Sequence, residues 1–184
     1  DDSNGYYINI TQNWFLLNPI LSSNNSNQSD YKWYIPFTYT TSNELNFNFE
    51  TKPIWFKPND TSIQIKINNN NNITLNETWL IGNIKHSGYY RVNYNENNWN
   101  LLVNQLLNDH KKIDILNRAQ LIDDSFNLGR AGLIDQTLFL KITSYLVNET
   151  DPLAFQTAFI GLNYIADMLS HDDVTFEYFK VSLF

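Results

Sequence analysis

Apolar and polar residues alternate with a period of two through the first half of the chain and with a helical period through the second. Trp33, Ile35, Phe37 and Tyr39 form one alternating run, Leu45, Phe47 and Phe49 another, Ile63, Ile65 and Ile67 a third, and Tyr90, Val92 and Tyr94 a fourth. Alternation of this kind places one set of side chains on a single face of a strand. Tyr6 to Gln12, Ile54 to Phe56 and Thr78 to Ile81 are further candidate strands. Short strands in this number over about ninety residues predict an antiparallel β-sandwich, with Trp33, Ile35, Phe37, Val92 and Tyr94 in its core. Pro19, Pro36, Pro53 and Pro58 fall in this half, at edges, strand ends or turns, because proline cannot donate to a ladder. Ser22 to Asp30 and Asn68 to Asn72 are polar stretches that read as exposed loops.

After Tyr94 the period lengthens. Trp99, Leu102, Val103 and Leu106 make a first helical stripe, Ile115, Ala119, Ile122 and Phe126 a second, Leu138, Ile142 and Tyr145 a third, and Phe155, Phe159, Leu162, Ala166 and Leu169 a fourth. Gly129 and Gly132 are placed to end the second helix, and Asp151-Pro152 supplies a cap acceptor followed by a preset first-turn φ. Short links between helices predict antiparallel hairpins stacked as a solenoid of the HEAT or armadillo type. The expected class is therefore α+β by segregation: a β-sandwich over 1–94, then the start of a helical array over 95–184. Val174 to Phe184 reads as an amphipathic helix without a terminal cap, which suits a piece of a longer chain.

Composition narrows the functional classes. No apolar run approaches the roughly 20 residues of a membrane-spanning helix, and no secretory signal pattern is visible from Asp1 onward. A net charge of −7 argues against nucleic acid, which is bound by basic faces. The acidity sits in the helical half, as expected of a solvated helix surface. With no cysteine in the chain, disulfides and thiolate metal sites are excluded, though an extracellular home is not.

Candidate chemistry is sparse. A helical zinc peptidase site needs His-Glu-x-x-His, and that motif is absent; His86, His110 and His171 each stand alone. His110 falls near the end of the first predicted helix, where a cation meets unpaired carbonyls, so capping is its expected role. Asp123 and Asp124 are adjacent carboxylates, but consecutive helix positions diverge by about 100°. One of them is expected to pair with Arg118 or solvent rather than to act across a substrate. Arg91 lies in an alternating run and is expected to pair within the protein rather than to bind a substrate carboxylate. No catalytic, metal-binding or substrate-binding residue is assigned.

Asn9, Asn24, Asn27, Asn59, Asn72, Asn76 and Asn148 each begin Asn-x-Ser/Thr without an intervening proline, the acceptor pattern for N-glycosylation. In so asparagine-rich a chain roughly four such triplets arise by chance. Placement strengthens the signal, since Asn24, Asn27, Asn59 and Asn72 fall in predicted exposed loops. The sequons point to the secretory pathway, with a cytoplasmic protein of asparagine-biased composition as the alternative.

Six short segments, read in order, point further. They are Thr11-Gln12 with Phe15, Trp33 with Ile35-Pro36, Trp79 with Asn83, Gly88-Tyr89-Tyr90-Arg91-Val92-Asn93-Tyr94, Asn98-Trp99, and Arg118-Ala119-Gln120-Leu121-Ile122-Asp123-Asp124 with Phe126. Together they resemble the third domain and the start of the C-terminal helical domain of zinc aminopeptidases of the aminopeptidase N family. The resemblance implies a parent enzyme that releases N-terminal amino acids from peptides. Its zinc and substrate loop would lie in an upstream catalytic domain, leaving no cofactor in this chain. The partners implied are that domain, downstream helices of the same chain, and peptide substrates. The sequons and the loop-rich β half look more like membrane-anchored ectoenzymes, including insect gut aminopeptidases, than cytosolic members. A segment that spaces and encloses the substrate chamber is the leading expectation; a glycosylated recognition module that docks an external protein is the alternative.

Overall fold

The computed structural model describes residues 5–17, 31–68 and 77–183. Sequons Asn24, Asn27, Asn72 and Asn76, Pro19, the loop from Ser22 to Asp30 and positions 69–72 lie outside the described residues. The strands are β1 (Gly5–Ile10), β2 (Ile35–Phe37), β3 (Tyr39–Thr41), β4 (Ile54–Phe56), β5 (Ile63–Asn68) and β6 (Leu80–Gly82). The helices are α1 (Glu96–Asp109), α2 (Ile115–Arg130), α3 (Thr137–Thr143), α4 (Pro152–Leu169) and α5 (Asp173–Leu183), with single 3₁₀ turns at Ile84–His86, His110–Lys112 and Ser144–Asn148. Strands and helices are thus segregated along the chain, as the change of period predicts.

Among the described residues the strands pair as three separate antiparallel ladders, β1 with β5, β2 with β4 and β3 with β6. Pro36 lies opposite Trp55 in the second of these. The alternation at Leu45, Phe47 and Phe49 does not make a strand. Asn46 Oδ1 accepts from Asn48 N–H and Asn48 Oδ1 accepts from Glu50 N–H, while Leu45 sits at φ 50. Asparagine side chains take the N–H groups that a ladder would need. Phe49 is exposed, with the Lys85 ammonium 4.5 Å from its ring centre.

Tyr90, Val92 and Tyr94 likewise belong to no ladder: Tyr90 N–H turns back to Gly88 C=O, Val92 N–H goes to Asp124 and Tyr94 N–H to Asn93 Oδ1. Of the expected sandwich core, Phe37 is buried, Ile35, Val92 and Tyr94 are half-buried, and Trp33 is 43% exposed. Trp33 lies ahead of β2, where an alternating pattern no longer reports a sheet face.

The helices begin and end where their caps direct. Asn95 accepts from Asn98 N–H, Asp114 from Leu116 N–H and Asp151 from Leu153 N–H, each satisfying one of the free donors of a first turn. Pro152 follows at the first helical position. At the end of α2, Gly132 takes φ 71 and Leu133 N–H returns to Leu128 C=O at 3.0 Å, closing the helix in a left-handed turn suited to glycine.

One apolar core runs through the helices and takes in Trp79 and Ile81 from the β6 region beside Trp99, Leu102, Leu121, Ile122, Phe126, Phe139 and Ile142. Three of the four predicted helical stripes face it as expected. The fourth does so in part: Leu162 is buried and Ala166 and Leu169 pack against the core, but Phe159 is 56% exposed and the rest of the buried face of α4 is Ala154, Ala158 and Gly161. Small residues let α4 approach closely; a Cβ built on Gly161 would lie 2.5 Å from Phe139 Cζ and 2.9 Å from Phe126 Cδ2. Phe159, Ile160 and Met168 on the opposite side of α4 face outward.

Candidate functional site at the polar junction

The inner face of α2 carries polar residues beside its apolar stripe. Asn117, Gln120 and Asp124 recur at helical spacing, and all are buried. They face a turn in which Asn83, Lys85 and His86 take φ 59, 53 and 52. Left-handed backbone costs a non-glycine residue roughly 1–2 kcal/mol and persists only where its surroundings hold it. The holding groups are specific. Asn83 N–H donates to Thr38 C=O at 2.8 Å, Ile84 N–H to Thr38 Oγ1 at 2.9 Å and Lys85 N–H to Asn117 Oδ1 at 2.8 Å. Asn117 Nδ2 donates to Asn83 C=O at 3.1 Å and to Gln120 Oε1 at 2.8 Å.

The Asn83 side chain then fixes the following loop. Its Oδ1 accepts from Gly88 N–H at 2.8 Å, and its Nδ2 donates to the carbonyls of Gly88 and Tyr90 at 2.9 and 3.1 Å. Asp124 continues the chain of bonds, accepting from Val92 N–H at 3.1 Å, from Gln120 Nε2 at 3.2 Å and from Arg91 at 3.1 Å. Arg91 also donates to Asp123 through the same nitrogen, and its guanidinium lies 5.3 Å from the centre of the Phe15 ring. Tyr94 Oη accepts from Gly82 N–H, and Tyr90 Oη donates to Pro36 C=O. Segments far apart in sequence are joined here through side-chain-to-backbone bonds.

Burial pushes the Asp124 carboxyl up to about 6, against the opposing pull of Val92 N–H and Arg91. Burial also raises the phenols of Tyr90 and Tyr94 well above the ordinary tyrosine range. Asp124 has no exposed surface, so the two aspartates form an anchor for Arg91 and no acid/base pair open to a substrate. Of the two partners expected for one aspartate, Arg118 or solvent, solvent does reach Asp123, which is partly exposed, but the arginine that both aspartates bind is Arg91, which does pair within the protein. Divergence of the two carboxylates did not prevent this, because the arginine lies across both.

Arg118 belongs to a second buried cluster. Its Nε and Nη2 donate to Glu149 at 2.7 and 3.2 Å, and Nη1 donates to Ile113 C=O at 2.6 Å. Glu149 also accepts from the N–H groups of Thr150 and Asp151. The His110 ring is buried beside Tyr145, 5.5 Å between centres, with Nε2 3.8 Å from Glu149. His110 thus ends α1 as expected, but its ring packs inward instead of remaining at a solvated helix terminus. His86 and His171 are exposed and apart from it. Among the described residues no three His, Cys, Asp or Glu side chains converge on a point that could hold a metal.

An open cleft of about 260 Å³ borders α1, lined in part by Ser42, Trp79, Leu101 and Gln105. Trp79 Nε1 donates to Gln105 there at 3.1 Å. Of the sequons within the described residues, Asn9, Asn59 and Asn148 are all exposed. Asn117 and Glu149 stand in none of the segments singled out in the sequence, and Asn83 and Gln120 stand there without an assigned role. The available signal was the polar recurrence along α2, hidden beside a stronger apolar one.

Residues 79–184 match the family model described as the ERAP1-like C-terminal domain. The chain belongs to the aminopeptidase N family. It is 37% identical over 166 residues to aminopeptidase N of Plutella xylostella, covering 90% of this chain and 16% of that protein. It is 34% identical over 165 residues to aminopeptidase Ey of Gallus gallus, again covering 90% of this chain and 16% of the relative. A thyrotropin-releasing hormone-degrading ectoenzyme of Mus musculus is 35% identical over 153 residues, 82% of this chain and 14% of its own length. The chain therefore spans about one sixth of the first two relatives, as the 16% coverage gives. Among the described residues no helix is long and apolar enough to cross a membrane.

Proposed function

We propose that this chain is the noncatalytic joint of a zinc-dependent aminopeptidase, a segment that spaces the catalytic domain from a helical array enclosing the peptide chamber. In this reading the β half contributes to a sandwich and α1 to α5 begin a solenoid. The zinc and the groups that activate water reside upstream. The observation that carries the proposal is the junction itself: the buried face of α2 is spent on fixing backbone, through Asn117, Gln120 and Asp124, and offers no reactive group to solvent. The sequons and the ectoenzyme among its relatives support an extracellular setting for the parent, on the outer face of the plasma membrane.

The test is hydrolysis of N-terminal amino-acid amides by the purified chain, with and without added zinc. No turnover is expected, because the ligand set that fixes the metal and activates water would lie elsewhere. Zinc-dependent turnover by the pure chain would overturn the proposal.

A further inference from the structure

The β half carries a second constructed feature, unconnected with the junction. Trp14, Tyr31 and Trp33 form a continuous aromatic shelf: Trp14 meets Tyr31 edge-on at 5.7 Å, and Tyr31 and Trp33 stack with centres 6.4 Å apart and planes 28° from parallel. Tyr31 is 58% exposed and Trp33 43%. The shelf is held in place from below by Gln12, which is buried. Its Oε1 accepts from Trp33 N–H at 2.9 Å, and its Nε2 donates to Trp33 C=O at 3.2 Å and to Lys57 C=O at 3.3 Å.

That last bond ties the shelf to a turn. Lys57 C=O also accepts from Asp60 N–H at 3.0 Å, and Lys57 N–H donates to Asp60 Oδ2 at 2.8 Å, so residues 57–60 form a tight reverse turn with Pro58 and Asn59 at its corners. Asn59 is exposed at the tip and begins the sequon Asn59-Asp60-Thr61. The acceptor asparagine is two residues from a carbonyl that shares its donor with the backbone of Trp33.

We propose that the Trp14, Tyr31 and Trp33 shelf is a carbohydrate-binding face, and that its occupant is the N-linked glycan carried by Asn59. The chemistry matches. Aromatic faces carry negative quadrupole charge, and the apolar C–H faces of pyranose rings present the complementary positive edge. Exposed apolar patches mark binding sites, and a tethered glycan is presented at high effective concentration, so weak stacking suffices. In the attachment step the Asn59 amide nitrogen bonds to the anomeric carbon of a lipid-linked oligosaccharide. The carbon–oxygen bond to the lipid pyrophosphate breaks, and the amide loses one proton. The inference rests on the secretory setting proposed above.

The test is hydroxyl-radical footprinting of the 184-residue chain secreted from a glycosylating eukaryotic host. A secretion signal supplies the glycosylation machinery whatever the native compartment, so the result reads the shelf; glycosidase sensitivity of the native protein reads the compartment separately. Three forms are compared: the glycosylated chain, the same chain after complete enzymatic glycan release, and the Thr61→Val variant, which lacks only this sequon. Glycopeptide mapping is expected to find Asn59 occupied. Labelling of Tyr31 and Trp33 is expected to be largely lost in the first form and restored in the other two. Tyr89, fully exposed, and Trp99, buried, should label equally in all three and report that the fold is intact. An unoccupied Asn59, equal labelling of Trp33 in every form, or protection that persists in Thr61→Val would each overturn the proposal, the last by showing that another part of the protein covers the shelf.

Discussion

Asn117 on α2 donates to the carbonyl of Asn83 and accepts from the N–H of Lys85, so one helix side chain satisfies both backbone groups of a left-handed turn. Replacing it by alanine leaves Asn83 C=O with the N–H of His86 but takes the partner from Lys85 N–H and from the buried Gln120 Oε1. Each such group costs about 1–3 kcal/mol. Asn117→Ala is expected to lower stability by about 2–5 kcal/mol, read as a lower urea midpoint at unchanged slope. A midpoint equal to that of the parent chain would show that the turn is held without Asn117.

The raised carboxyl of Asp124 has a definite pH signature. Its folded value, about 6, lies above the ordinary aspartate value of about 3.9, so the folded state binds the proton more tightly than the unfolded chain. The contribution is fully favourable below the unfolded value and is lost as pH rises through the folded one. From pH 4 to pH 7 this group alone removes about 2 kcal/mol of stability. In Asp124→Asn that downward component disappears. Urea unfolding of both chains at several pH values checks it, and parallel profiles would show that Asp124 does not titrate in this range.

Gly161 brings α4 against the rings of Phe126 and Phe139. An added methyl gains about 1 kcal/mol in helix propensity but meets two aromatic rings that themselves pack at 5.2 Å. Overpacking typically costs 1–3 kcal/mol. Gly161→Ala is therefore expected to destabilise by up to about 2 kcal/mol and to lower Tm. A raised Tm would mean that the rings yield freely.

Phe37 and Trp33 belong to one alternating run yet differ in burial, 6% against 43% exposed. Phe37→Ala is expected to cost about 3–5 kcal/mol. For Trp33→Ala in the unglycosylated chain the expected cost is no more than about 1 kcal/mol. Equal urea midpoints for the two variants would refute this assignment of inward and outward positions.

Helix content was readable because its signals are local: Asp151 sits at the predicted start of α4 and Gly132 at the predicted stop of α2, and Asn95 and Asp114 cap α1 and α2 in the same way. Pairing in the β half was less readable. Asn46 and Asn48 turn an alternating run into consecutive side-chain turns, and Val92 N–H goes to Asp124 instead of to a strand. Alternation reports extended backbone but not where its hydrogen bonds end. The junction was legible only in part. Arg91 and Asp123-Asp124 stood out by charge, whereas Asn83, Asn117 and Gln120 are neutral amides whose importance depends on what lies across from them. Small residues hid the buried face of α4 for a related reason, since Ala154, Ala158 and Gly161 carry little hydrophobic signal even where packing is tightest.

Because α2 satisfies backbone groups contributed by residues 82–92, the place where strands give way to helices is not a place where the molecule can be parted. A cut between Tyr94 and Asn95 would strand a row of amides and a carboxylate on a helix whose other side is oil. The shorter piece would have to flood its own interior, or find a surrogate for the missing loop, before it could stand alone.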